Sequence, residues 1–528
     1  MSSNQDSIGP RQLFNLPSSE GINASERILT ALCRKTFLRL WSQTNVFTDE
    51  GFKGGKGSSQ ELCDALVIFG NDIIIFSDKH ITYQVDREVG VAWPRWYKRA
   101  VLDSCKQLHG ALGWLKRFPE RAFLDARCTR KLAVAIPPAP RFHLVAVTRG
   151  SREAVLKSKD GVGLGSFDLN SSIEGQAHLQ TPFVIGLPEP IKHFVHVFDE
   201  VAIDLVLGEL DTAADFIDYL AQREALLGRR GSAVLASGEE ELLASFLQTI
   251  VGDGTQHAFI DLPETSPLPD AAFFQTGIWA SLTSDPGYAR KKQVDSISYK
   301  WDRLIDRFLE YGDPGAHGAL LKQTGEQSEQ GLRLMAAENR YRRRQLAESL
   351  FHAMHRVEPG GRIARTVYSG VAGESVYVFV ILAKRDEEAY ETYRKYRTPY
   401  CTRTCSVRGS RRRLAPPSSG SRLTTLTRPT REARKICSCC SRTRGRSRSC
   451  GTSRPRESSW VSGRRVQSAF ATGRTSFPKQ TSSWHSQRTW SGTNRLPPGR
   501  LPRRRSRNAS RRFATARAGK IAAARSDN

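Results

Sequence analysis

Residues 61–79, ELCDALVIFGNDIIIFSDK, place an acid near the start of one apolar run and a lysine at the end of the next. Asp64 and Lys79 are residue types that handle phosphate esters. A carboxylate can hold a hard, oxygen-preferring cation such as Mg²⁺, and an ammonium can position water or offset developing negative charge. Whether the two act together depends on how the runs pair. Gly70-Asn71 has the chemistry of a two-residue hairpin turn, with glycine supplying positive φ at the first position. That turn predicts Asp64 opposite Ser77. Side chains alternate along a strand, so Asp64, Ser77 and Lys79 then share one face and Asp78 points to the other. A three-residue turn, Gly70 to Asp72, would set Asp64 opposite Asp78 and turn Lys79 away. Only the first register suits catalysis.

Both runs are apolar on both faces, as central strands of a covered sheet are. Polar groups at the end of such a sheet cost desolvation energy unless they are paired or bind a metal. A plain ion pair between Asp64 and Lys79 is therefore the structural alternative to a site. Two more acids are close in sequence or start chemistry. Glu61 opens the same stretch. Glu26 sits in the first turn of NASERILTALCRKTFLRLW, three residues after Asn23, where it could close a capping box. The loop GFKGGKGSSQ (51–60) fails the phosphate-loop pattern and precedes a strand instead of following one. It reads as a flexible basic loop whose Lys53 and Lys56 could touch a nucleic-acid backbone.

An acid on one strand, a tight turn and x-x-K closing the next strand resemble the PD-(D/E)xK restriction-endonuclease-like nucleases, over roughly residues 23–150. The resemblance implies an α/β fold with a restriction-endonuclease-like central sheet flanked by helices. Asp stands on its second strand, (D/E)-x-K on its third, and a Glu of the first helix often completes the metal site. It also implies Mg²⁺ as cofactor, DNA as partner and phosphodiester hydrolysis as the reaction. Carried over, Asp64 is a metal ligand and Lys79 the catalytic lysine. Glu61 or Glu26 would add a second carboxylate, and Gln107 on the following helix would fill a supporting position near the nucleic acid. Ser77 occupies the (D/E) position. A hydroxyl is a poor ligand for Mg²⁺, so catalysis needs Glu61, Glu26 or Asp78 in its place. Without one, the fold would be a non-catalytic DNA- or protein-binding module.

The elements that must position these residues can be read from periodicity. Leu29, Cys33, Phe37 and Leu40 give the first helix a buried stripe. A second helix is predicted over 93–118, starting at Pro94. RKLAVAIP (130–137) and FHLVAVTR (142–149) read as strands, and the α/β domain is expected to end near 150. Residues 151–396 read as a mostly helical α+β region, with a strand running into a helix at HVFDEVAIDLVLGEL and a hairpin over 364–383. No catalytic constellation is evident in it. His193 and His196 flank a strand without a third ligand nearby, and RYRRRQ (340–345) reads as a solvated helix face.

Net charge does not identify the partner. The chain carries +27, but residues 1–397 hold 48 Lys and Arg against 50 Asp and Glu, while 398–528 hold 32 against three. Only 13 of those last 131 residues are Leu, Ile, Val or Phe. So few apolar groups cannot offset the entropy of ordering, and a disordered tail is expected from 397. It could be an arginine-rich arm that neutralises phosphates, an inert extension, or translation out of frame. Loss of helical periodicity just after KRDEEAYETYRKY (384–396) fits the last of these. Cys437, Cys439, Cys440 and Cys450 lack the paired spacing of a zinc module. Residues 1–22 are polar, with no apolar signal core, and no apolar run reaches the ~18 residues of a membrane span. A cytoplasmic protein with no membrane partner is expected.

Overall fold

The computed structural model describes residues 23–52, 57–229, 233–251, 255–259, 271–310, 325–368, most of 375–400, and 436–437. Lys53 and Lys56, residues 1–22, and the expectations for the arginine-rich tail and its cysteines lie outside the described residues. Among the described residues no helix is long and apolar enough to cross a membrane.

The first helix, α1 (Ala24–Trp41), begins as its sequence requires. The Asn23 side chain accepts a hydrogen bond from the Glu26 amide at 2.9 Å, and its own amide donates to the Glu26 carboxylate. Leu29, Cys33, Phe37, Leu40 and Trp41 are buried along one stripe. The chain then passes directly into β1 (Ser42–Thr48), β2 (Gln60–Phe69) and β3 (Asp72–His80). Strand β1 is not evident in the sequence. Its polar residues Gln43, Thr44 and Asn45 disguise a segment that is almost wholly buried between strands.

Strands β2 and β3 form the expected two-residue hairpin. Gly70 takes a φ of +63°, and Phe69 pairs with Asp72, Ile68 with Ile73 and Ala65 with Phe76. Ile73, Ile74, Ile75 and Phe76 are completely buried, so both faces are covered. A one-residue slip normally exposes a whole apolar set. Here it would merely exchange two apolar faces, so the glycine turn and the polar ends fix the register.

A helical segment crosses back over the sheet as α2 (Val89–Tyr97), one π-helical turn (Lys98–Leu102) and α3 (Asp103–Arg117). It starts at Val89, earlier than expected, and Pro94 lies inside it. Proline there removes one helical amide, and Ala92, Trp93, Trp96 and Tyr97 bury the turns around it. After the two-residue β4 (Ala122–Phe123), the expected strand 130–137 is absent. Only Lys131 makes an isolated bridge, to Phe123. The place beside β3 is taken instead by β5 (Arg141–Arg149), which runs parallel to it over its whole length.

The sheet does not close at residue 150. After α4 (Arg152–Ser158), β6 (Asp168–Glu174) and β7 (Val184–Leu187), the strand β8 (Val195–Asp199) pairs parallel with β5. The result is a six-stranded mixed sheet in the order β4-β1-β2-β3-β5-β8. Helices flank both faces. Phe76 of β3 packs against Phe37 of α1 and Phe216 of α6 (Ala213–Leu227), at 6.5 and 6.4 Å between ring centres, whereas its neighbour Ser77 meets α3. Between β8 and α6 lies α5 (Glu200–Glu209), capped by Asp199. A smaller four-stranded sheet joins β6 and β7 to β9 (Ala233–Ala236) and a strand at Ala271–Phe274.

The rest is mostly helical, ending in the expected antiparallel hairpin, Arg362–Val367 with Tyr377–Leu382. RYRRRQ is not a solvated face. Its helix starts afresh after Asn339, whose side chain caps the Arg342 amide. Arg340 and Arg343 are buried on Asp302, at 2.7 and 2.6 Å, and Arg340 also meets Asp211 at 2.8 Å. These arginines tie helices together, because guanidinium forks can satisfy several buried acceptors at once.

Candidate active site at one end of the sheet

Beyond the Ala65–Phe76 pair the β2–β3 ladder is replaced by a side chain. Asp64, next in register and opposite Ser77, accepts a hydrogen bond from the Asp78 amide at 2.8 Å. One carboxylate oxygen thus does the work of a missing strand carbonyl. Burial, opposed by that amide and by the charge of Lys79, leaves the Asp64 carboxyl above its ordinary range. Lys79 is partly exposed two residues past the fully buried Ser77, on the same face.

Glu61 lies at the solvent edge of β2. Its carboxyl is nevertheless pushed up to about 7, first by loss of water around it, then by the charges of Asp64 and Glu26, with Lys79 acting in the opposite sense. Glu26, Glu61, Asp64 and Lys79 therefore share one electrostatic neighbourhood, although they come from α1, β2 and β3. Glu26 is at the same time engaged by the Asn23 cap, so its structural role is real.

Ser77 and Asp78 are both occupied. The Ser77 hydroxyl donates to Gln107 Oε1 at 3.0 Å and lies 3.4 Å from the Ser104 hydroxyl. It faces α3 and does not stand in as a metal ligand. Asp78 points to the opposite face, where Arg149 Nε lies 3.1 Å from each of its carboxylate oxygens. Burial first, then the charge of Asp64, outweighs Arg149 and holds the Asp78 carboxyl at about 6. Asp78 is spent in an ion pair and cannot replace the missing acid of the Ser77 position.

The cluster can be tested against Mg²⁺. The oxygens of Glu26, Glu61 and Asp64 do not converge. Among the described residues the group of His, Cys, Asp and Glu with donor atoms within 4.8 Å of one another is His143, His196 and Glu224, elsewhere on the sheet. Mg²⁺ does not demand such a cage. It keeps several waters and is commonly held by one or two carboxylates together with substrate phosphate. Asp64 with Glu61 fits that donor set, and the net negative charge around Lys79 favours a cation.

Sequence reasoning finds Asp64, Ser77 and Lys79 as a group, because strand alternation and one turn decide their placement; Gln107 comes from the resemblance alone, and it accepts a hydrogen bond from Ser77. It misses Arg149 and Ser104, which reach β3 from a parallel strand and a helix. Both carried a signal only in hindsight of pairing: a basic residue closing an apolar strand, and a serine inside an apolar helix stripe. Comparison with family models, curated proteins and solved structures gave no match.

Proposed function

We propose that the chain is a Mg²⁺-dependent DNA nuclease-like protein that hydrolyses phosphodiester bonds, with its site at the β2–β3 splay. The observation that carries this reading is the hairpin register, which sets Asp64, Ser77 and Lys79 on one face with Gln107 bound to Ser77. Asp64 on the second strand after α1 and Lys79 on the third are also what the resemblance to PD-(D/E)xK nucleases implies.

In this reading Asp64 and Glu61 hold the cation, which would polarise the scissile phosphate and acidify a bound water. The chain's own groups do the rest. The Asp78 amide fixes one Asp64 oxygen, so the other is oriented without rotamer loss. Lys79 lies on the same face to steady the attacking water and offset negative charge on the phosphate. Gln107 and Ser104 hold Ser77, and through it the end of β3. Lys53 and Lys56 would contribute backbone contacts to DNA.

A second reading rests on Ser77 itself. With a buried, hydrogen-bonded hydroxyl at the (D/E) position, the same fold could bind DNA or protein without cutting. Cleavage of DNA in Mg²⁺ and in chelator separates the two. The first reading expects cleavage only in Mg²⁺, lost in Asp64→Ala; the second expects no cleavage in either condition.

A further inference from the structure

The opposite end of the sheet carries a different set of ligands. His143 stands on β5 and His196 on the neighbouring parallel strand β8. Val145 pairs with His196, so His143 lies one rung earlier on the same face. That face is covered by α6, which supplies Glu224. One ring nitrogen of each histidine and a carboxylate oxygen of Glu224 lie within 4.8 Å of one another.

Each histidine has one ring nitrogen without an ordinary partner. His143 is 5% exposed and His196 not at all, yet His143 Nδ1 and His196 Nε2 are buried with no hydrogen-bond partner. Buried polar atoms are nearly always satisfied, and an unsatisfied one calls for an explanation. The other ring nitrogens, by contrast, are engaged. His143 Nε2 donates to Asp72 at 3.1 Å, and Asp72 is in turn held by Arg141 at 2.9 Å. A carboxylate behind a histidine fixes its tautomer and aims its other nitrogen, the usual support of a metal-ligating imidazole.

We propose that His143, His196 and Glu224 form a binding site for a divalent transition metal of the zinc class. Two imidazoles and one carboxylate suit Zn²⁺, and three protein ligands leave a fourth position for water or a small ligand. Glu224 is partly exposed and gives the ion its route in. The set is wrong for Mg²⁺, which prefers oxygen, so this site is separate from Asp64 and Glu61 and does not depend on the nuclease reading.

One contact opposes loading and sets its proton balance. Arg223 Nη1 lies 3.3 Å from His196 Nδ1. A guanidinium only donates, so in the metal-free protein Nδ1 accepts and Nε2 carries the proton. A metal at Nε2 displaces that proton to Nδ1, and the long Arg223 contact is given up. Arg223 itself stays in place, because Glu239 holds it through bonds of 2.8 and 2.9 Å. The expected affinity is therefore below that of a zinc site without such a neighbour.

The test uses the full chain, stripped with chelator and titrated with Zn²⁺ and Co²⁺. We expect one equivalent of Zn²⁺ to raise the melting temperature, as any ligand specific to the folded state does. Co²⁺ should give visible ligand-field bands without the thiolate charge-transfer band that the tail cysteines would produce. Glu224→Gln, a partly exposed position whose variant should fold, should weaken binding roughly tenfold or more, and Asp72→Asn comparably through His143. His196→Gln should remove binding. Absence of a Zn²⁺-dependent shift, a purely thiolate Co²⁺ spectrum, or undiminished binding in Glu224→Gln would overturn the proposal. If His196→Gln fails to fold, the Glu224→Gln result decides.

Discussion

At the start of β3, Asp72 accepts hydrogen bonds from His143 and Arg141; at its end, Asp78 meets Arg149, and Asp64 from β2 takes the Asp78 amide. Burial alone would raise all three carboxyls. At Asp72 the donors win and hold it below its ordinary range. At Asp78 and Asp64 burial wins, and both are raised. The C-terminal end of the strand thus concentrates acids faster than it supplies donors. Asp199 extends the pattern, since Lys79 pairs with Thr148 and Thr148 with Asp199. That carboxyl is fully buried and pushed up to about 7, chiefly by burial, despite hydrogen bonds from Ala202 and Phe167. At the start of β3 hydrogen-bond donors outweigh the burial of Asp72, and at its end burial outweighs the donors of Asp78, Asp64 and Asp199.

The comparison can be challenged by mutation. Arg149→Leu should be the most damaging change, because it leaves Asp78 buried without its partner. Breaking such a pair costs roughly 3–5 kcal/mol, measurable as a lower urea midpoint. A loss under about 1 kcal/mol would mean that Asp78 is already neutral and indifferent to Arg149.

Asp199 gives the pH test. Its folded value lies above the ordinary 3.8, so the folded chain keeps a proton there that the unfolded chain releases. The associated stability is complete below 3.8 and is lost as pH rises through about 7. The stability of the wild type relative to Asp199→Asn should therefore fall between about pH 4 and about pH 7 and level off above, by up to a few kcal/mol in all. A pH-independent difference would count against the buried, protonated carboxyl.

Ser77→Ala removes a buried hydrogen bond and strands Gln107, which is partly exposed and can turn to water. A loss of about 1 kcal/mol is expected. Arg141→Ala should matter least, at about 0–1 kcal/mol, since Arg141 is 67% exposed and His143 still serves Asp72. If Arg141 proved as costly as Arg149, the two ends of β3 would not differ as described.

Much of the site could be read in the sequence because it is local. Gly70-Asn71 sets the hairpin, the hairpin sets the faces, and Asn23 with Glu26 sets the helix start. What escaped is set by distant pairing. Strand β1 hides behind polar residues that are buried by its neighbours. RKLAVAIP has the apolar content of a strand, but β5 occupies the edge of β3 that it would need. Arg340 and Arg343 read as a surface because their acids are far away in sequence, Asp211 in the link between α5 and α6 and Asp302 on another helix. His196 was visible as a histidine flanking a strand, and the structure sets it on β8. His143 and Glu224 became its neighbours only when β8 joined β5 and α6 covered them.

The central claim is tested most directly by DNA cleavage with the full chain in Mg²⁺, comparing wild type with Asp64→Ala and Lys79→Ala. Cleavage is the readout because the arginine-rich tail would retain polyanions regardless of the site. The account predicts Mg²⁺-dependent cutting that each variant reduces roughly a hundredfold or more, with circular dichroism unchanged. Equal cutting by wild type and both correctly folded variants would contradict it.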